Sequence, residues 1–125
     1  MTNLIRYVDK QIYTMHNGYE TARALIESGE EFTALYCISD VLAVGALRAL
    51  ADAGIRVPED VSVAGFDGQE LAEYSIPRLT TIRQPLADIS RETVRLLFDI
   101  IDKKSYHRHI IFPGDLIKGE STREI

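Results

Sequence analysis

Polar side chains stand at the ends of two apolar runs of this chain. Ser39 and Asp40 follow residues 32–38 (FTALYCI), and Asp67 follows residues 61–66 (VSVAGF). Both runs have the length and composition of short buried strands. Open α/β sheets bind small molecules where the carboxyl ends of strands meet, and a carboxylate there can accept hydrogen bonds from ligand hydroxyl or N–H groups. The spacing therefore predicts a small-molecule site at this edge of a sheet.

Each candidate residue also has a structural interpretation. Asp67 precedes Gly68 and could cap the next short helix, and Asp40 opens a helix, where the helix dipole stabilises a negative charge. Ser39 could cap the same helix or point into a crevice. Tyr13, just before an earlier helix, could stack on a sugar or base, or could belong to the core. The residues alone leave these alternatives open.

Chemistry other than binding has little support in the sequence. The GxGxxG, Walker A and GxSxG motifs do not occur. His107 and His109 lack a nearby cysteine or carboxylate, so they are expected in a solvated loop and not at a metal. Asp40 and Asp67 have no accompanying nucleophile for hydrolysis, and Cys37 is expected to be a buried small hydrophobe. We therefore predict a protein that is not an enzyme and needs no cofactor and no metal.

The composition narrows the class of protein. A length of 125 residues suits one domain, and a single cysteine excludes an internal disulfide. The net charge is −5 with no basic stripe, so this chain alone is a poor candidate for binding a phosphate backbone. The first residues lack the apolar segment of a signal peptide, and no run is long enough to span a membrane. We expect a cytoplasmic protein without membrane contact.

Hydrophobic periodicity predicts helices alternating with strands. Asn17, with Glu20 three residues later, has the pattern of a helix N-cap, and Gly29 is expected to end that helix. Further helices are expected at residues 40–53 and 85–103, and strands at 32–38, 61–66 and 79–82. This order predicts an α/β fold with a parallel sheet flanked by helices. The helix at 40–53 is apolar on most sides, so it needs the sheet on one side and a neighbouring helix or another subunit on the other.

Several motifs resemble the C-terminal part of lactose-repressor/galactose-repressor (LacI/GalR) family regulators. They occupy residues 39–45 (SDVLAVG), 54–67 (GIRVPEDVSVAGFD) and 77–85 (PRLTTIRQP), and residues 119–122 (GEST) are similar to the family's terminal R-E-S-T. The resemblance implies the C-terminal lobe of a type I periplasmic-binding-protein-like fold, in which two α/β lobes enclose an effector. It also implies the effector-binding and dimerisation part of a transcriptional repressor that senses a sugar or similar small molecule.

The resemblance implies roles for individual residues. Asp67 stands where the family has an aspartate that hydrogen-bonds the effector, and Ser39 stands where the family often has an asparagine with the same role. Tyr13 matches an aromatic position that often stacks on the ligand. The helix after Asp40 and the stretch before Pro77 match the family's dimer interface. The residues nominated for a homodimer contact are Val44, Leu47, Leu71, Tyr74 and Ile76.

The resemblance also divides the chain. Residues 1–84 would be the C-terminal effector-binding lobe, residues 85–105 a crossover helix that normally belongs to the other lobe, and residues 106–125 a returning C-terminal segment. Operator DNA would be bound only through a headpiece that this sequence lacks, and effector binding by half a cleft would be weak. We expect the helix at 85–103 to fold back on its own lobe or to dock onto another copy, because its apolar face is broad.

Two other functions compete with a repressor. A solute-binding protein for sugar transport shares the implied fold, and fold alone does not decide function. A small α/β hydrolase that uses Asp40 and Asp67 is the remote alternative.

Overall fold

A computed structural model describes residues 12–104 and 109–124. In chain order the elements are α1 (Met15–Glu27), β1 (Ala34–Tyr36), α2 (Asp40–Asp52), β2 (Ser62–Asp67), α3 (Glu70–Tyr74), β3 (Thr80–Arg83), α4 (Leu86–Ile101) and β4 (Asp115–Ile117). The alternation of strands and helices confirms the predicted α/β class, with shorter strands than the apolar runs indicated.

The strands form a four-stranded sheet in the order β1-β2-β3-β4. The first three strands are parallel, with Tyr36 opposite Ala64 and Phe66 opposite Ile82. The fourth runs antiparallel to β3, with Leu116 opposite Ile82. The predicted parallel sheet is present in β1–β3, and one antiparallel strand is added at the edge where the chain returns after α4.

Helix α2 is covered on two sides. Its residues Ala43, Leu47 and Leu50 belong to a buried cluster that also contains Val63 of β2 and Leu79. On the other side α2 packs against α1, where Ala22 of α1 joins Ala46 and Ala49 in a second cluster. Of the two covers that the sequence left open for this helix, the structure has the neighbouring helix.

Helix α1 begins one turn before its predicted N-cap. Thr14 has an extended backbone, and its Oγ1 accepts a hydrogen bond of 3.1 Å from the Asn17 backbone N–H. The Asn17 side chain instead donates from Nδ2 to the Ile12 carbonyl oxygen at 2.8 Å. The prediction of Asn17 as the cap is wrong because Thr14, three residues earlier, is also a favourable capping residue and takes that position.

The C-terminal segment fastens the start of β3 to β2. Ser121 is fully buried, its Oγ donates to the Val63 carbonyl oxygen at 2.6 Å, and the same Oγ accepts from the Thr80 backbone N–H at 2.8 Å. The Val63 backbone N–H donates in turn to the Ser121 carbonyl oxygen at 2.7 Å. A Cβ on Gly119 would lie 2.6 Å from the Leu79 carbonyl carbon, so only glycine lets the segment come this close.

Helix α4 is only thinly covered by the rest of the described chain. None of its residues is buried, and its large apolar side chains are mostly exposed: Leu86, Val94, Leu97, Phe98, Ile100 and Ile101. Ile89 and Leu96 line an open cavity of about 410 Å³ together with Phe112 of the returning segment. The expectation that α4 folds back on its own lobe is therefore wrong, and docking onto another copy stays a prediction.

Candidate functional site

Asp67 presents its carboxylate at the carboxyl edge of the sheet. It is the last residue of β2 and is half-buried. Its Oδ1 accepts a hydrogen bond of 2.8 Å from Gln84 Nε2, and its Oδ2 accepts one of 3.3 Å from Gln69 Nε2. Because an ionised carboxylate has about four lone-pair sites, each oxygen keeps room for a ligand hydroxyl. The two amide side chains hold the carboxylate and leave it able to bind.

The backbone around Asp67 turns sharply. Asp67 has a φ of 109° and Gly68 a φ of 69°. A Cβ on Gly68 would lie 2.5 Å from the Arg83 Cα, so glycine is required both for the conformation and for the approach to β3. This turn ends β2 at Asp67 and leads the chain into the loop before α3. The cap alternative fails, because the N-cap of α3 is Gln69, which makes no side-chain capping bond.

Asp40 is sealed inside the lobe. Its exposed fraction is 0%, its Oδ1 accepts a 2.5 Å hydrogen bond from the Thr81 hydroxyl, and its Oδ2 accepts a 2.7 Å bond from the Gln69 backbone N–H. The carboxylate is thus occupied by protein donors and closed to a substrate. This arrangement gives no support to a hydrolytic pair formed by Asp40 and Asp67. Besides starting α2, Asp40 binds the Thr81 hydroxyl and the Gln69 backbone N–H.

Ser39 caps α2. Its exposed fraction is 4%, and its Oγ accepts a 3.3 Å hydrogen bond from the Val41 backbone N–H. Ser39 follows the carboxyl end of β1, the strand that pairs in parallel with the strand that ends at Asp67. The capping alternative is therefore confirmed, and a contact between Ser39 and a ligand stays a prediction.

Tyr13 lies on a different element from Asp67. It precedes α1 and is 51% exposed, so the alternative that placed it in the core is wrong. Helix α1 packs against α2. The exposed ring is free to stack on a ligand, and that role stays a prediction.

Cys37 is chemically quiet. It is half-buried, and burial, with a smaller effect from the charge of Asp40, raises the pKa of its thiol to about 12. Since the thiolate is the nucleophilic form, the raised pKa disfavours a nucleophilic role for this thiol at neutral pH. Within residues 12–104 and 109–124 no cluster of three or more metal-binding side chains occurs. His107 lies outside these residues, and His109 is exposed.

A family model described as a periplasmic binding protein-like domain matches residues 2–122. The chain belongs to this family. The periplasmic binding protein-like chain is 34% identical over 113 residues to the HTH-type transcriptional regulator MalR of Clostridium butyricum, an alignment that covers 90% of this chain and 34% of that protein. It therefore spans about a third of the length of this relative.

Solved structures give the same picture of this periplasmic binding protein-like chain. It is similar to the transcriptional regulator CelR in complex with cellobiose, with a TM-score of 0.80, 34% identity, and coverage of 87% of this chain and 34% of that one. It is also similar to a lac repressor dimer bound to operator, with a TM-score of 0.82, 29% identity, and coverage of 87% and 38%. These comparisons confirm the predicted resemblance to LacI-type regulators.

The residues nominated for the dimer contact differ widely in exposure. Tyr74 is 76% exposed and Ile76 is 95% exposed, whereas Leu71 and Val44 are half-buried. Leu47 is 5% exposed and lies in the core. Its side chain is surrounded by its own lobe and offers little area to a partner, and its role in an interface stays a prediction.

The sequence did not single out Gln84, Gln69 or Thr81. Gln84 follows β3 directly, and the carboxyl end of β3 meets that of β2, so the rule that nominated Asp67 could have found it. Thr81 lies inside a strand, and the sequence does not indicate that its hydroxyl bonds a residue 41 positions away.

Among the described residues, no helix is both long and apolar enough to cross a membrane.

Proposed function

We propose that this chain is the effector-binding part of a LacI-type transcriptional repressor and that its effector is a sugar. The observation that carries the proposal is the Asp67 carboxylate, held by Gln69 and Gln84 at the carboxyl edge of the sheet with acceptor capacity to spare. Sugar hydroxyls are donors that such a carboxylate can bind. The similarity to a regulator in complex with cellobiose supports this choice of ligand class.

The rest of the proposal concerns the whole protein. The exposed side chains of Tyr74 and Ile76 would contact a second copy of the chain. The half-buried side chains of Leu71 and Val44 would contribute to the same contact. With a net charge of −5, this chain would leave operator binding to other parts of a cytoplasmic regulator. Effector binding would then shift the repressor between states of different operator affinity, since a ligand acts only through its differential affinity for those states. A catalytic role is not part of the proposal.

Titration of the ¹⁵N-labelled chain with cellobiose, maltose and lactose tests the ligand assignment. Nuclear magnetic resonance detects millimolar binding, which suits a site that is only part of a cleft. At least one sugar should shift the backbone amide signals of Asp67, Gly68 and Gln84. Asp67→Asn should weaken that sugar about ten- to a hundredfold, because a hydrogen bond to a charged group contributes about 1.5–3 kcal/mol.

Asp115→Asn is the matched control, since Asp115 is an exposed aspartate on β4. It should leave the dissociation constant unchanged. The proposal of a sugar effector fails if no sugar of the panel shifts these signals, or if Asp67→Asn binds as tightly as the unaltered chain.

A further inference from the structure

Two consecutive peptide groups after Asp67 are bound by side chains from other elements. The Gly68 backbone N–H donates to Thr81 Oγ1 at 3.3 Å, and the Gln69 backbone N–H donates to Asp40 Oδ2 at 2.7 Å. The Thr81 hydroxyl donates to Asp40 Oδ1 at 2.5 Å and so joins the two contacts. The loop that leaves β2 is therefore tied at once to β3 and to the start of α2.

Both anchoring side chains are inaccessible to solvent. Asp40 is 0% exposed and Thr81 is 2% exposed. A buried carboxylate is costly unless its oxygens accept hydrogen bonds, and within residues 12–104 and 109–124 no buried side-chain polar atom lacks a partner. The favoured arrangement of this buried carboxylate is thus the one in which the Gln69 peptide and the Thr81 hydroxyl are both in place.

Gly65 makes room for this arrangement. A Cβ on Gly65 would overlap Asp40 Oδ1 and would lie 2.9 Å from Leu79 Cδ2. The carboxylate therefore reaches across the strand over a residue without a side chain. Gly65, two positions before Asp67, is therefore explained by packing: a side chain at this position would occupy the space of the Asp40 carboxylate. The sequence motif alone did not indicate this.

The residue in front of the two tied peptides has an unusual backbone. Asp67 has a φ of 109°, a conformation that non-glycine residues keep only where the surroundings impose it. Its carboxylate is held on one side by the Gln69 side chain, whose own backbone N–H is bound by Asp40. The position of the carboxylate thus depends on where the Gly68 and Gln69 peptides are fixed.

We propose that Asp40 and Thr81 are positioning residues for ligand binding: they hold the Asp67–Gln69 turn so that the Asp67 carboxylate is aimed before a ligand arrives. This inference rests on the proposed function for the role of Asp67, and it assigns the pre-organisation of that carboxylate to a buried aspartate–threonine pair. Fixing a binding group in its bound geometry lowers the cost of association.

A pair of Thr81 variants tests the proposal. Thr81→Val removes the hydroxyl and keeps the shape, and Thr81→Ser restores the hydroxyl. We expect Thr81→Val to speed hydrogen exchange of the Gly68 amide at least about tenfold and to weaken binding of the sugar with the strongest response, among cellobiose, maltose and lactose, by a similar factor. Thr81→Ser should recover both values.

Thr80→Val is the matched control for loss of a buried hydroxyl. Thr80 is the neighbouring residue of β3, is 6% exposed, and bonds Gly119 and Thr122 instead of the Asp67 turn. It should lower the stability of the lobe without changing Gly68 exchange relative to global unfolding, and without changing sugar affinity. If Thr81→Val does not fold, Asp40→Asn is used in its place, because it keeps the size of the side chain. Asp40→Asn should speed hydrogen exchange of the Gln69 amide.

The outcomes separate this inference from the proposed function. Normal Gly68 exchange and normal sugar affinity in Thr81→Val would overturn the positioning role. If the exchange effects appear but no sugar binds the unaltered chain, the sugar assignment is overturned, and with it the claim that the pair serves sugar binding. Equal losses of affinity in Thr80→Val and Thr81→Val would reduce the pair to general stability and overturn the inference.

Discussion

Two aspartates of one sequence block have opposite environments. Asp40 is sealed beneath the sheet edge with both oxygens bound by protein donors, whereas Asp67 is half-buried and held by amide side chains. The backbone of Asp67 carries a strain of about 1–3 kcal/mol, as expected for a non-glycine residue at positive φ. Such strain clusters at binding sites, which supports the proposal that Asp67 contacts the ligand and that Asp40 supports the turn.

Cys37 offers a direct test of how tightly this region is closed. Its thiol has a pKa of about 12, raised by burial and by Asp40, against 9.0 for an ordinary thiol. The reactive thiolate is therefore scarcer in the folded chain than in the unfolded chain at pH 8. We expect alkylation by iodoacetamide at pH 8 to be at least about tenfold slower in the folded chain than in urea, and to accelerate as the pH rises.

The single cysteine makes this measurement unambiguous, because all alkylation reports one site. Mass spectrometry of the folded and urea-unfolded chain gives the two rates. A folded chain that reacts as fast as the unfolded one at pH 8 would show that the thiol and its neighbour Asp40 are accessible.

At the scale of elements, α1 and α2 touch through their backbones. A Cβ on Gly45 would overlap the carbonyl oxygen of Met15, and a Cβ on Gly18 would lie 2.8 Å from the Cα of Leu42. Two helix-interior glycines thus permit the close packing that covers the second side of α2. This contact explains why an apolar helix needs no second subunit over that side.

Gly45→Ala gives opposite expectations from propensity and from packing. Helix propensity alone predicts stabilisation by about 1 kcal/mol, whereas the overlap with Met15 predicts destabilisation by about 1–3 kcal/mol. We expect destabilisation, measured as the free energy of unfolding in urea. Ala51→Gly, at an exposed position of the same helix, should cost about 1 kcal/mol and calibrates propensity. A more stable Gly45→Ala chain would mean that the helices are not this close.

The sequence predicted the elements better than their mutual contacts. Hydrophobic periodicity predicted the bounds of α2, β2 and α4 closely, because the alternation of buried and exposed positions repeats along the sequence of each element. The prediction of Asn17 as the cap of α1 was wrong because Thr14, which the pattern did not single out, can also cap. The roles of Thr81 and Ser121 were not predicted, because their partners lie 41 and 58 residues away and a hydroxyl in a strand does not indicate which donor or acceptor it meets.

At the scale of the whole molecule, much apolar surface remains uncovered. Helix α4 has no buried residue, and the chain spans about a third of its relative MalR. Tyr74 and Ile76 are exposed apolar residues at the end of α3, and we call them the α3 patch. Large exposed apolar patches mark contact sites, so we propose that the α3 patch contacts a second copy.

Ile76→Asp tests that contact. Ile76 is 95% exposed, so a charge there should leave the monomer fold intact while opposing burial in an interface. We expect the dimer dissociation constant from sedimentation equilibrium to rise at least about tenfold. Ile111→Asp, at an isoleucine that is 86% exposed on the returning segment, should change it little. If the two variants change the dimer dissociation constant equally, the α3 patch is not the dimer interface.

The burial of Ser121 between Val63 and Thr80 has a consequence for the order of events during synthesis. Most core side chains belong to residues 22–79 and leave the ribosome early. The β2–β3 junction, however, keeps the Thr80 N–H and both Val63 backbone groups without their native partners until Ser121 has emerged. While α4 is being synthesised, the β2–β3 junction of the nascent lobe therefore has unpaired backbone groups to which strands of other chains could hydrogen-bond. We therefore expect slower translation across α4 to prolong the time for which the β2–β3 junction lacks these hydrogen bonds.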